Sequence, residues 1–223
     1  MAFAWDDVLQ PRRCDVNVRA LTRSGGRSAT GREQRVQSDA GFVDVSYEIP
    51  ITSPAVARAC RATVTKLRAG EECLAKVFDV NQPRGALGVA VTGELTANIA
   101  ARDTQIGITV TGAEIMAGTI IGIGANRVHI ITEVVSGGPA SFFNNVLGAG
   151  NWDDDIPWSD AATAARNYVV KVMPPIRNPF AAGTVVKFRD ITMRGVLADI
   201  NDGDLSLDVG RFGSVTFTIR ESI

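Results

Sequence analysis

Apolar and polar residues alternate with a period of two over long parts of this chain. Val43, Val45, Tyr47, Ile49 and Ile51 alternate with Asp44, Ser46 and Glu48, which predicts a strand with one buried face and one wet face. Val215, Phe217 and Ile219 alternate in the same way with Thr216, Thr218 and Arg220, and Cys14, Val16, Val18 and Ala20 with Asp15, Asn17 and Arg19. Residues 74–80, 89–99, 191–197 and 205–209 read as further strands. Residues 22–38 are polar, Gly-bearing and Arg-rich, and predict a long protruding loop or a loose hairpin arm.

Between residues 106 and 188 the pattern changes. Short blocks of β-branched residues, at 105–112, 117–124, 127–135, 168–177 and 182–188, are bounded by Gly, Asn or Pro. Such blocks suit tightly connected strands. Together they predict a small closed barrel, a module that binds or assembles more often than it catalyses. Residues 136–160 interrupt the blocks, and a loop of that length inside a compact domain is usually functional or mobile.

One segment has helical spacing. Ser53-Pro54 supplies an N-cap and a proline at the first helical position. Val56, Cys60, Val64 and Leu67 share one face at roughly 100° per residue, and Gly70 is a natural stop. A helix over 54–69 lying on a sheet follows, with Arg58, Arg61 and Arg68 on a flanking face.

Charge changes this picture through its placement. With 23 Lys and Arg against 24 Asp and Glu the net charge is −1, so bulk electrostatics selects no partner. Arg12, Arg13, Arg19, Arg23, Arg27, Arg32 and Arg35 crowd the first part of the chain, whereas Asp153, Asp154, Asp155 and Asp160 form one acidic cluster and Asp199, Asp202, Asp204 and Asp208 another. Blocks of opposite sign suit a protein that packs against copies of itself, or else are solvated faces that keep it soluble. Cys14, Cys60 and Cys73 are odd in number and fit no zinc spacing, so they are expected to be reduced core residues. The opening Met-Ala-Phe-Ala-Trp-Asp-Asp has neither the basic nor the apolar region of a secretory signal, and none is expected. No apolar run approaches about 18 residues, so no transmembrane helix is expected.

The chemistry of catalysis is thin. His129 is the single histidine and sits within a strand, and no Gly-x-Ser-x-Gly elbow accompanies it. Gly122-Ile123-Gly124 opens like a dinucleotide fingerprint, but Arg127 stands where the third glycine belongs and a strand follows; a hairpin turn explains these glycines and Asn126. The run 199–204 has calcium-loop composition without the distal glutamate, so a turn is expected. The acidic triplet Asp153-Asp154-Asp155 is a solvated loop or a hard-cation ligand set. Trp152 and Trp158, which flank it, are a sugar-stacking or protein-docking surface or fold under the loop as a satellite core. The arginines of 22–37 serve phosphate or subunit contacts, without the interleaved aromatics that stacking on bases needs. No catalytic, cofactor or metal residue is assigned.

Three features together are similar to a known group: Gly31-Arg32-Glu33-Gln34-Arg35 leading through Gly41 into an alternating strand and a helix; Ala117 to Gly124 followed by Val128-His-Ile-Ile-Thr; and Val172-Met-Pro-Pro-Ile-Arg177 followed by Ala182 to Phe188, with a closing strand ending in Glu221. The chain resembles tail proteins of long-tailed bacteriophages and gene-transfer-agent particles, and among them the distal tail protein. The resemblance implies a mainly β fold: a β-sandwich belt domain over 1–101 and 189–223 with one packed helix at 54–69, and a small β-barrel inserted over 102–188 that carries the loop 136–160. It implies a virion structural protein at the tail tip, made and assembled in the host cytoplasm. Its work would be a homohexameric ring joining the tail tube protein to the tip hub or baseplate, with DNA passing through the lumen. Interface groups would be Arg23, Arg27, Arg32, Arg35, Arg58, Arg61, Trp152, Asp153, Asp154, Asp155 and Trp158. The alternatives are a carbohydrate-binding module that holds a host-surface glycan, or another tail-tip or tail-completion protein. A receptor-binding protein is a further candidate partner. No enzymatic role, no cofactor and no membrane association are expected.

Overall fold

The computed structural model describes residues 2–19, 22–27, 31, 33–37, 41–79, 81–83, 90–124, 126–137, 165–204, 206–207 and 213–222. The elements begin with β1 (Phe3–Ala4), β2 (Arg13–Arg19), β3 (Thr22–Arg27), β4 (Glu33–Gln37), β5 (Phe42–Ile51), the helix α1 (Pro54–Arg68) and β6 (Cys73–Lys76). Then follow β7 (Thr92–Leu95), β8 (Gln105–Thr111), β9 (Ile120–Ile123), β10 (Arg127–Ser136), β11 (Arg166–Met173) and β12 (Val185–Lys187). The last three are β13 (Thr192–Leu197), β14 (Ser206–Leu207) and β15 (Gly213–Glu221). The fold is mainly β with one packed helix and a small closed barrel, divided into two compact units.

The first unit comprises Met1–Asp79, Asn126–Val128 and Asp190–Ile223. Its mixed sheet runs β1-β6-β13-β15-β5-β2, with β14 also paired to β15. The period-two pattern sets its register: Val45, Tyr47 and Ile49 of β5 stand opposite Ile219, Phe217 and Val215 of β15, and all six are buried. Each such side chain contributes about 1.5–3 kcal/mol on leaving water. Cys60, Thr63, Val64 and Leu67 form the buried stripe of α1, which packs on β5 and β13. Ser53 Oγ accepts the Val56 N–H at 3.3 Å, satisfying a donor that the first helical turn cannot. The helix stops one residue short of its expected end, where Gly70 takes φ +84° and donates to the Leu67 carbonyl at 3.0 Å.

The segment before β2 is part of this core. Trp5 and Leu9 are buried, and the Trp5 ring lies 4.7 Å from Tyr47 and 6.1 Å from Phe217. The polar ends of these aromatics are satisfied, as burial demands. Trp5 Nε1 donates to the Leu9 carbonyl at 3.1 Å, and Tyr47 Oη donates to the Lys76 carbonyl at 2.8 Å.

The second unit, Val80–Ala125 and His129–Arg189, is a closed barrel in the order β10-β11-β8-β7-β12-β9. Strict alternation puts Ile106, Ile108 and Val110 of β8 and Tyr168, Val170 and Val172 of β11 in its interior, where Leu95, Ile121, Ile123, Ile131, Val186 and Phe188 join them. Small barrels fill with side chains in this way. Gly93 is needed here because a Cβ would come within 2.6 Å of the Phe188 ring. The barrel unit begins at residue 80, earlier than the expected 102. The reason is β7, which pairs with both β8 and β12 and without which the barrel would not close. The turn between β9 and β10 is the hairpin that its glycine and asparagine predict, with φ +62° at Gly124 and +64° at Asn126.

Candidate interface

Of the eleven candidate positions, Arg58 and Arg61 can be placed in full. Both are exposed on α1. With Thr65 and Arg68 they form one row at intervals of three, four and three residues, on a helix whose sequence contains no Asp or Glu. Arg68 is held: Nη2 donates to Asp204 Oδ1 at 2.6 Å and to the Asp202 carbonyl at 3.1 Å. The side chains of Arg58 and Arg61 have no hydrogen bond or ion pair among the described residues.

Arg23 and Arg27 lie on β3 and Arg35 on β4. The arginine-rich segment is therefore a hairpin, with Arg23 opposite Val36, Ser24 opposite Arg35, and Arg27 opposite Glu33 after an irregularity between Ser24 and Arg27. Among the described residues β3 and β4 pair only with each other, and β2 is the last strand of the large sheet. Arg32, Trp152, Asp153, Asp154, Asp155 and Trp158 lie outside the described residues, as does most of the loop 136–160.

Two buried carboxylates, Asp44 and Glu221, are not among the candidate positions. Asp44 is 2% exposed although its position in β5 belongs to the polar row. Arg19 Nε reaches its Oδ2 at 2.7 Å and Arg220 Nε its Oδ1 at 3.1 Å, while the Arg220 guanidinium lies 4.7 Å from the centre of the Phe42 ring. Glu221, 3% exposed, continues the inward register of Val215, Phe217 and Ile219. It accepts from Arg127 Nη1 at 3.1 Å and from the Val43 N–H at 3.4 Å. A charge in an inward register position was the available signal for Glu221. Asp44 had none, since its cover comes from strands remote in sequence. Buried charges must be paired, and these are. Arg13 and Arg19, two of the clustered arginines, pair within the chain, Arg13 with Asp15 at 2.7 Å.

The remaining candidate chemistry has structural roles. His129 is buried, with Nδ1 2.8 Å from the Pro174 carbonyl oxygen. The 199–204 run is a turn: Asp199 Oδ1 accepts the Asn201 N–H at 2.9 Å, Asp202 Oδ2 accepts the Thr218 N–H at 3.2 Å, and Gly203 has φ +87°. Cys60 and Cys73 are buried free thiols and Cys14 is half-buried. Burial pushes Cys14 up to about 11 and Cys73 up to about 12, which keeps both as unreactive thiols near neutrality. Among the described residues no group of three potential ligands could hold a metal, and no helix is long and apolar enough to cross a membrane.

No family model and no curated protein matches this chain.

Proposed function

We propose that this chain is a structural subunit of a phage tail tip, assembling as a homohexameric ring that joins the tail tube to the hub and leaves a channel for DNA. The supporting observation is a pair of open backbone edges. Among the described residues the large sheet ends at β2, and a two-stranded ribbon that pairs only with itself begins three residues further on. An isolated two-stranded ribbon is marginal in water, and an open edge strand is a template for pairing with another chain. A ribbon and an edge that are different surfaces of one subunit suit a head-to-tail contact, the kind that closes into a ring. The filled interior of the barrel also favours a scaffold over a module that holds a ligand inside its strands. On this reading the protein is a component of the virion and carries out no reaction.

Cryo-EM of tailed particles containing the protein tests this. Six copies in a ring between tube and tip are expected. One copy per particle, or density in the capsid, would overturn the proposal.

A further inference from the structure

The two outward arginines in the first half of α1 are poorly explained by the fold. Like charges three residues apart on a helix repel. Arg58 and Arg61, the fifth and eighth residues of α1, are such a pair, both exposed and with side chains that have no partner among the described residues. The helix has no acidic residue to offset them. Lys66 and Arg68, by contrast, lie in the last turn, where the dipole favours them. Each also has a contact, Lys66 over the Phe3 ring and Arg68 on Asp204. Ala55 and Ala62 are exposed beside the two arginines, so the surface around the guanidiniums is low enough for another chain to approach closely.

We propose that this face of α1 docks an acidic segment of a second copy of this chain, the run Asp153-Asp154-Asp155. This rests on the reading of the protein as a self-assembling subunit and names the contact. The choice of occupant follows from charge. The chain has two acidic clusters, and the one at 199–208 is partly committed within its own subunit: Asp204 to Arg68, Asp202 to the Thr218 N–H, and Asp199 to Asn201. The triplet at 153–155 is the denser of the two, three consecutive carboxylates against two adjacent guanidiniums. Arginine binds carboxylate with paired, directed hydrogen bonds. Trp152 and Trp158 flank the triplet and provide the aromatic contact area in which interfaces are enriched.

The probe is a fluorescein-labelled peptide of residues 150–160, Gly-Asn-Trp-Asp-Asp-Asp-Ile-Pro-Trp-Ser-Asp. The receptor is the full-length chain carrying D153N, D154N and D155N, so that its own segment does not compete. Fluorescence anisotropy at low salt should show saturable binding that weakens as salt rises. Adding R58E and R61E to the receptor should weaken binding at least tenfold while the receptor stays folded, because both positions are exposed on α1. A peptide with Lys at 153–155 should bind that double variant in preference to the parent. A peptide that fails to bind, that binds the R58E/R61E receptor equally well, or that is displaced by a DNA duplex at lower concentration than by unlabelled peptide overturns the proposal. The readout needs no tail, so this contact can fail while a ring is still seen in particles, and can hold while the ring is not.

Discussion

Arg220 and Asp44 stand directly opposite each other on β15 and β5, and Arg220 Nε donates to Asp44 Oδ1 at 3.1 Å. Arg19 closes over the other carboxylate oxygen from β2, so three strands share one buried acid. The guanidiniums remain largely wet, with side-chain exposures of 40% for Arg220 and 63% for Arg19. Water therefore screens much of each attraction, and the carboxylate carries most of the cost of burial.

Asp44→Ala should accordingly destabilise the protein by about 1–3 kcal/mol, the range for removing one partner of a buried polar contact. It should fall short of the about 3–5 kcal/mol that follows when a fully buried pair is broken, because both arginines can rehydrate. Arg19→Gln should cost less than about 1 kcal/mol. Urea denaturation decides: equal midpoints for Asp44→Ala and the parent would show that the acid is dispensable to the sheet.

The thiols predict a pH dependence. Burial raises Cys14 from the ordinary 9.0 to about 11 and Cys73 to about 12, so between pH 9 and those values the folded chain holds protons that the unfolded chain has released. Stability from this source is complete below pH 9 and declines as pH rises through 11 and 12. Native protein at pH 8 should react with a disulfide reagent far more slowly than denatured protein, with Cys14 fastest of the three because it is half-buried. Native reaction of Cys73 as fast as in denaturant would show that its burial is not maintained in solution.

Gly195 is a site of close backbone approach. A Cβ there would press on the Arg220 carbonyl oxygen and on Ile219, and a β-sheet backbone cannot move aside as a flexible side chain can. Gly195→Ala should cost about 1–3 kcal/mol, the usual range for overpacking, seen as a lower denaturation midpoint. An unchanged midpoint would mean that the β13–β15 spacing relaxes freely.

The hairpin is tested by charge reversal. Arg27→Glu, Arg32→Glu and Arg35→Glu together should leave the monomer folded by circular dichroism yet stop its incorporation into tails. Single reversals should be mild, since an exposed pair contributes only about 0–1 kcal/mol. Normal infectious particles carrying all three changes would remove the hairpin from the assembly contact.

Trp152→Ala and Trp158→Ala separate a scaffold from a glycan reader. For a scaffold, a glycan array probed with the parent protein should be blank. Specific array binding that either substitution abolishes, with particles still assembling, would favour the carbohydrate-binding reading.

The strands, the helix and the barrel were legible because burial imposes a period on the sequence. Val43 to Ile51 and Val215 to Ile219 declare a half-buried strand whatever they pair with, and Ser53-Pro54 with Gly70 declares the helix ends by local hydrogen-bonding rules alone. Local information could not say that β5 and β15 are partners, that β7 belongs to the barrel and so moves the unit boundary from 102 to 80, or that Asp44 is capped by Arg19 and Arg220. Those depend on which remote segments meet. A polar residue in an alternating strand looks the same whether its cover is water or a guanidinium from another strand. The sequence by itself thus determined the long alternating strands, the helix, the mainly β class and the arginine-rich row on α1, but not the short β1 nor whether residues 22–38 form a loop or a hairpin. Tertiary structure decided strand order, the location of the buried carboxylates and, among the described residues, which strands end the sheet, because pairing is a long-range choice made by the packing of the whole sheet.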